Sequence, residues 1–160
     1  MKMTERKFTA AVRSLMEERD RIWMNEPEDA KKIKTIQGAY YQFAPFLLHA
    51  ESETRECVDY LWYIRTLARD PKQDVQNLKP VLGTIFEAKA DKWIRWYKME
   101  KTPALMRQAA SALQDVQNRE EMVALIDGLS HYIGRLNFWL DANIPWLAIS
   151  SVYDWVNYGK

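Results

Sequence analysis

Apolar residues recur every three or four positions along nearly the whole chain, which is the spacing of one face of an α-helix. The first such segment covers roughly residues 4–24 and places Phe8, Val12, Leu15 and Trp23 on its apolar side. No stretch of useful length alternates between apolar and polar residues, and no internal repeat is present. The pattern therefore predicts an all-α protein.

Prolines and capping residues divide the first half of this pattern. The sequence "NEPEDAKKIK" interrupts the first helix, and "GAYYQFAPFLLHA" is apolar almost all round, which predicts a buried helix kinked at Pro45. Ser52 is predicted to be the N-cap of the following helix. That helix ends at the most loop-like segment, "DPKQDVQN".

The second half contains stronger start signals. A short segment with Pro80 and Gly83 precedes a predicted helix of about 13 residues that starts near Lys89. Thr102 with Pro103 predicts one helix start, and Asn118 with Glu121 predicts a long helix to about Leu140. A last apolar helix is predicted after Pro145. We expect a helical bundle of about seven to eight helices in one domain, residues 1–160, with sub-bundles at about 1–70 and 78–160 that share a core.

Composition favours a cytoplasmic protein that has no membrane segment. The 160 residues carry a formal net charge of +1, and 48% are hydrophobic, with seven tryptophans and eight tyrosines. The single cysteine, Cys57, forms no internal disulfide and fits a reducing compartment. The charged N-terminus lacks the apolar run of a signal peptide, and no window reaches the ~18 apolar residues of a membrane span.

Catalytic motifs are missing from the sequence, so we expect a protein that is not an enzyme and has no cofactor. There is no Gly-rich phosphate loop, nucleophile elbow or Cys-x-x-Cys pair. Cys57 lies on an apolar helix face and is expected to be a buried, inert thiol. A metal-dependent enzyme that uses His49, Glu53, Asp127 and His131 is an alternative, but the Glu-x-x-His pattern of carboxylate-bridged sites is absent.

The segment "KADKWIRWYK", residues 89–98, combines aromatic and basic residues. Trp93, Trp96 and Tyr97 share a helix face, and we expect them to be buried, as we do Leu61, Trp62, Leu105 and Leu113. Residues 87–107 hold six basic and three acidic residues, whereas residues 119–160 hold three and five. The candidate phosphate contacts, which we call the basic ridge, are Lys89, Lys92, Arg95, Lys98, Lys101 and Arg107. A second candidate patch consists of Arg19, Arg21, Lys31, Lys32 and Lys34.

The order of these segments resembles the small subunit of the type I-E CRISPR effector Cascade, the CasB family. The likeness covers roughly residues 5–133 and rests on apolar order and spacing. It is carried by "FTAAVRSL", "NEPEDAKKIKTIQGAYYQFAPF", "ESETRECVDYLWYIRTLA", "LKPVLGTIFEAKADKWIRWYKMEKTPALMRQAASAL" and "REEMVALIDGLSHYI".

The resemblance implies an all-α, non-catalytic subunit of a crRNA-guided complex. Its expected partners are the backbone and large subunits of Cascade, a second copy of itself, and the R-loop formed by crRNA and target DNA. Such a subunit stabilises the R-loop through contacts with the DNA backbone that do not depend on sequence. The alternative from another class is a helical protein–protein interaction module without nucleic-acid binding, such as an immunity protein or a phage-encoded inhibitor.

Overall fold

The computed structural model describes residues 5–23, 25–39 and 45–142, and this part of the chain is helical, as predicted. Six α-helices and one short 3-10 helix are present in the described ranges, slightly fewer than the seven to eight predicted for the whole chain. They are α1 (Lys7–Trp23), α2 (Glu28–Ala39), α3 (Pro45–Arg69), α4 (Val75–Tyr97), α5 (Lys101–Ala112), a 3-10 turn (Leu113–Asp115) and α6 (Arg119–Asp141). None of the described helices is long and apolar enough to cross a lipid bilayer.

Helix α6 lies at the centre of the described bundle. Its buried side chains recur every three or four residues along its length, from Met122 to Leu140. It packs most extensively against α3, then against α1. At Gly128 a β-carbon would lie 3.3 Å from Leu15 Cδ1, so this glycine permits the close approach of α1.

The start of α6 is the best example of a local signal that the structure confirms. The Asn118 side chain accepts a hydrogen bond from Glu121 N at 2.8 Å, and the Glu121 carboxylate accepts one from Gln117 N at 2.9 Å. The Asn118 cap is the one predicted from the Asn-x-x-Glu spacing, whereas the Glu121 carboxylate reaches the N–H of the residue before the cap. The hydrogen bond from Gln117 N and the contact with Arg6 lower the pKa of Glu121, although burial acts in the opposite direction.

Helix α3 corrects one prediction. Ser52 is not an N-cap, because α3 runs without a break from Pro45 to Arg69. Leu47, Ala50, Thr54 and Cys57 are all buried and form one stripe across the expected break. This stripe makes continuation of the helix favourable, whereas Ser52 itself is exposed. The expected helix kinked at Pro45 lies partly outside the described residues, and α3 begins at that proline.

Helix α4 is longer than predicted. The segment around Pro80 and the helix expected near Lys89 form one 23-residue helix, which Asp74 caps by accepting a hydrogen bond from Gln76 N at 2.9 Å. Leu78, Leu82 and Phe86 continue the buried stripe on both sides of Pro80. Packing of this stripe therefore outweighs the backbone hydrogen bond that proline cannot donate.

Helix α5 begins at Lys101, one residue before the predicted cap Thr102. The buried Asp29 of α2 caps it instead: its carboxylate accepts hydrogen bonds from Glu100 N (2.9 Å), Lys101 N (3.3 Å) and Thr102 N (2.7 Å). A residue distant in sequence thus satisfies the free N–H groups at the helix start. The helix predicted after Pro145 lies outside the described residues.

Candidate partner-binding face

Helices α3 and α4 run antiparallel and leave an open groove between them. Glu53 contacts Lys89 and Lys92 near one end of the pair, while Tyr60, Pro80 and Val81 lie together at the groove's other end. The two helices make far less contact with each other than α3 makes with α6. The groove wall also includes Glu56, Cys57, Thr84, Ile85, Ala88 and Lys89.

Large apolar side chains are exposed on the same two helices. Tyr63 is 62% exposed, Trp96 59%, Tyr60 50% and Val81 45%. Tyr60 and Tyr63 lie one helical turn apart on α3, and Val81, Ile85, Ala88, Lys92 and Trp96 follow one another at three- or four-residue spacing on α4. We call these seven residues and Pro80 the α3–α4 face.

A carboxylate joins the two helices beside this face. Glu53 accepts hydrogen bonds from Lys89 Nζ at 3.0 Å, from Lys92 Nζ and from Trp93 Nε1 at 3.3 Å. Partial burial acts to raise the pKa of Glu53, but these hydrogen bonds outweigh it and lower the pKa to about 2. Glu53 is therefore ionised at neutral pH and neutralises two lysines of the basic ridge.

Cys57 lies at the base of the groove and is buried, as predicted. Burial raises the pKa of its thiol to about 12, while the positive charge of Lys89 acts in the opposite direction. Because the thiolate is the nucleophilic form, this thiol is unreactive at neutral pH.

Most residues of the basic ridge form ion pairs with carboxylates. Arg95 pairs with Asp91 at 2.8 Å, and Lys101 pairs with Glu18 at 3.1 Å. The Arg107 guanidinium lies 3.8 Å from Glu87. Lys98 is exposed and ends α4 in the left-handed conformation, with φ of 57°. Together with Lys89 and Lys92 on Glu53, five of the six ridge residues contact an acidic side chain.

The second basic patch has a similar arrangement. Arg19 lies 3.1 Å from Asp20, and Arg21 lies 2.9 Å from Glu18. Lys32 contacts Glu100 at 2.7 Å, and Lys34 contacts Glu26 at 3.0 Å. Lys31 is exposed on α2. Helix α5 packs against both α1 and α2, and Glu18 contacts a basic residue of each candidate group, so the two groups approach each other near the start of α5.

Burial of the aromatic residues is only partly as predicted. Trp93, Tyr97, Leu61, Leu105 and Leu113 are buried, which confirms those predictions. The predictions for Trp96 and Trp62 are wrong, because these rings are 59% and 44% exposed. Each lies beside the buried stripe of its helix, and a cation covers part of its ring: Lys92 is 6.0 Å from Trp96, and Arg65 is 4.9 Å from Trp62.

The four residues of the alternative metal site do not converge in the structure. Glu53 contacts lysines of α4, and Asp127 is hydrogen-bonded to Arg65 of α3. His49 and His131 are both exposed. Among the described residues, no group of three or more histidine, cysteine or acidic side chains is arranged to hold a metal ion.

Sequence reasoning missed the α3–α4 face itself. Tyr60, Tyr63 and Val81 were not singled out, although Tyr60 and Tyr63 both lie off the stripe formed by Cys57, Leu61 and Ile64. The sequence does contain a signal for this face: Tyr60 and Tyr63 are aromatic at positions where an amphipathic helix is usually polar. The antiparallel pairing of α3 with α4 that unites these residues depends on contacts distant in sequence.

The described architecture is a helical bundle with an aromatic face on two neighbouring helices. The chain belongs to the family of the cucumopine synthase C-terminal helical bundle domain, whose model matches residues 8–142. No curated protein and no solved structure matches the chain significantly. The resemblance to the Cascade small subunit stays a prediction.

Proposed function

We propose that this chain is a non-catalytic helical module that binds a partner protein through the α3–α4 face. The observation that carries the proposal is the exposure of Tyr60, Tyr63, Val81 and Trp96 on two adjacent helices. Neighbouring exposed apolar residues are typical of interaction surfaces, and aromatic residues are enriched at their centres. Single exposed apolar residues would need no such explanation.

Family membership supports an accessory role. The family is named for the C-terminal helical bundle of a synthase, so in that protein the bundle is one part of an enzyme. We propose that here too the bundle accompanies a partner that supplies the chemistry, whether that partner is another chain or another domain. The interaction surface of the bundle would then position this partner.

The titratable groups of the described core support a role without catalysis. Burial raises the pKa of Cys57 to about 12 and of Tyr97 to about 12, so both stay protonated at neutral pH. Glu53, with its pKa of about 2, stays charged and bound to lysines. A general acid or base works best with a pKa near the working pH, and none of these three groups meets that condition.

Charge neutralisation favours a protein partner over nucleic acid. A phosphate that approached Lys89 and Lys92 would have to displace Glu53, and one at Lys101 would have to displace Glu18. Non-specific nucleic-acid binding depends on cations that release counterions from phosphates. Five of the six ridge residues contact a carboxylate, so the ridge offers less free positive charge than its sequence indicates.

Site-specific photo-crosslinking in the native cell tests the proposal. A benzoylphenylalanine at Val81 should crosslink in high yield to one defined chain that mass spectrometry identifies, because Val81 lies within the α3–α4 face. The matched control carries benzoylphenylalanine in place of Met16, on α1. Met16 is 46% exposed and Val81 is 45% exposed, so the two positions are equally accessible. Equal, diffuse crosslinking from the two positions would overturn the proposal.

A further inference from the structure

We infer that the partner at the α3–α4 face is an amphipathic helix with basic residues beside its apolar side. This inference rests on the proposed function, because it gives the chemistry of the partner at the same face. The occupant is a segment of a different chain or of another domain. The shape of the groove, the spacing of its apolar residues and the charges at its rim define that segment.

The groove has the shape of a site for a helix. Its walls are two antiparallel helices, with Tyr60 on α3 and Val81 and Ile85 on α4, and the buried Cys57 lies at its base. Because side chains on one helix form ridges that pack into the grooves of another, a third helix fits between two that stand apart. An extended partner would need the edge of a sheet, and every described element is a helix.

The apolar residues of the groove set the spacing of the partner's anchors. On α4, Val81, Ile85 and Ala88 are separated by four and by three residues. Val81 is 45% exposed, and Tyr60 on the opposite wall is 50% exposed, so both retain surface that a partner can bury. The α4 residues cover about 10 Å, which is two helical turns. A partner helix with apolar side chains at i, i+4 and i+7 places one against each of them.

Two carboxylates at the rim of the groove select a basic partner. Glu56 lies in the groove wall, and Asp59 follows it by one turn on α3. Both are exposed, and in the described part of the chain neither forms an ion pair. Lys89 and Lys92 share the carboxylate of Glu53, so the unpaired charges beside the apolar residues are the two negative ones. A lysine or arginine at the edge of a partner helix complements them.

Binding of two synthetic peptides to the full chain tests the inference. Both peptides have about 15 residues, with leucine at i, i+4 and i+7, and they differ only at the polar positions, which are lysine in one and glutamate in the other. We expect the lysine peptide to bind at least about tenfold more tightly at physiological salt, because its charges complement the rim. Fluorescence anisotropy of the labelled peptides measures both dissociation constants.

A charge reversal at the rim separates this site from general attraction to acidic surfaces. Glu56→Lys should weaken binding of the lysine peptide roughly fivefold, because it replaces an attraction by a repulsion. The matched control is Glu17→Lys, which changes the net charge by the same amount. Glu17 is exposed beside Met16 on α1, forms no ion pair among the described residues, and should be neutral in this assay. Circular dichroism shows whether both variants keep their helical fold.

The inference fails if the lysine peptide binds no better than the glutamate peptide, or if Glu56→Lys and Glu17→Lys weaken its binding equally. Neither result touches the proposed function, which the photo-crosslinks at residue 81 test separately. We expect those crosslinks to map to a helical segment with lysine or arginine beside its apolar residues. A crosslinked protein segment that is acidic or extended contradicts the inference alone, whereas crosslinks to nucleic acid contradict the proposed function as well.

Discussion

Helix α3 has two neighbours, and its contacts with them differ in kind. Against α6 it is held by buried apolar residues and by polar contacts towards both of its ends. Near the start of α3, Asn137 donates hydrogen bonds to Glu51 O (2.8 Å) and Thr54 Oγ1 (2.9 Å). Arg65 pairs with Asp127 about one turn before the end of α3. At the end of α3, Arg119 donates to backbone oxygens of Ala68, Asp70 and Gln73.

Against α4 the same helix has one polar cluster, around Glu53, and beyond it the groove stays open. The comparison separates two roles of a helix surface. Helix α3 stabilises the bundle through its contact with α6, which combines buried apolar residues with the hydrogen bonds and the ion pair named above. Its side towards α4 keeps aromatic residues exposed, and this is the surface that we propose for a binding partner.

The largest expected effect comes from the buried stripe of α3. Leu61→Ala should lower the free energy of unfolding by about 3 kcal/mol, because it removes buried methyl groups and leaves a cavity. Tyr63→Ala, two residues away and 62% exposed, should cost less than about 0.5 kcal/mol. Urea denaturation of both variants measures the difference. Similar losses for the two would show that the aromatic side is also part of the structural core.

A smaller loss is expected at the end of the α3–α6 contact. Arg119→Lys keeps the positive charge but loses the planar guanidinium, whose two terminal nitrogens together reach the three carbonyl oxygens, so we expect a loss of about 2 kcal/mol. Hydrogen exchange should increase for the last turn of α3 and for residues 70–74. The matched control is Arg69→Lys, which makes the same exchange at an exposed position in the last turn of α3. Unchanged exchange in Arg119→Lys would show that the carbonyl contacts are dispensable.

The Glu53 cluster should respond to pH. Its folded-state pKa of about 2 lies below the ordinary value of 4.5, so its contribution to stability is complete above about pH 4.5 and is lost as the pH falls towards about pH 2. Glu53→Gln should cost about 1 kcal/mol at pH 7. The difference from the natural chain should shrink between pH 4.5 and pH 2 in thermal melts.

Glu56→Gln is the control for this titration, because Glu56 is exposed and has no ion pair in the described part of the chain. It should leave stability nearly unchanged at every pH. A Glu53→Gln difference that stays constant down to pH 2 would contradict the role of the lysine contacts in holding α3 to α4.

The smallest effect on stability is expected from the double variant Arg95→Ala with Lys98→Ala, since exposed ion pairs contribute less than about 0.5 kcal/mol. The same variant tests the Cascade prediction. If both residues contact phosphates of a single strand, the slope of log affinity against log salt falls by about 1.4 in total. If the partner-binding proposal is correct, the double variant changes neither the salt dependence of single-stranded DNA binding nor the lifetime of the R-loop. Fluorescence anisotropy measures the first, and an assembled complex is needed for the second.

Sequence reasoning predicted the helical class and several local features of the described chain. Asn118 was identified as a cap because both partners of that cap lie within four residues. Trp93 was correctly expected in the core, but Trp96 was not, because helical spacing locates a stripe without fixing its edges. The prediction that Ser52 caps a helix is wrong because the packing of α3 overrides a local capping preference. The ion pairs of Lys89 and Lys101 link different helices, and no single segment contains that information.

The cap that Asp29 provides for α5 has a consequence for how the chain folds. An isolated helix of 12 residues is marginal in water. The N–H groups at the start of α5 gain their acceptor only after a loop of some seventy residues has closed, since Asp29 precedes them by 71 to 73 positions. Such long-range contacts slow folding. A cut in the turn at residues 70–74 would make α5 depend on reassembly of two separate fragments.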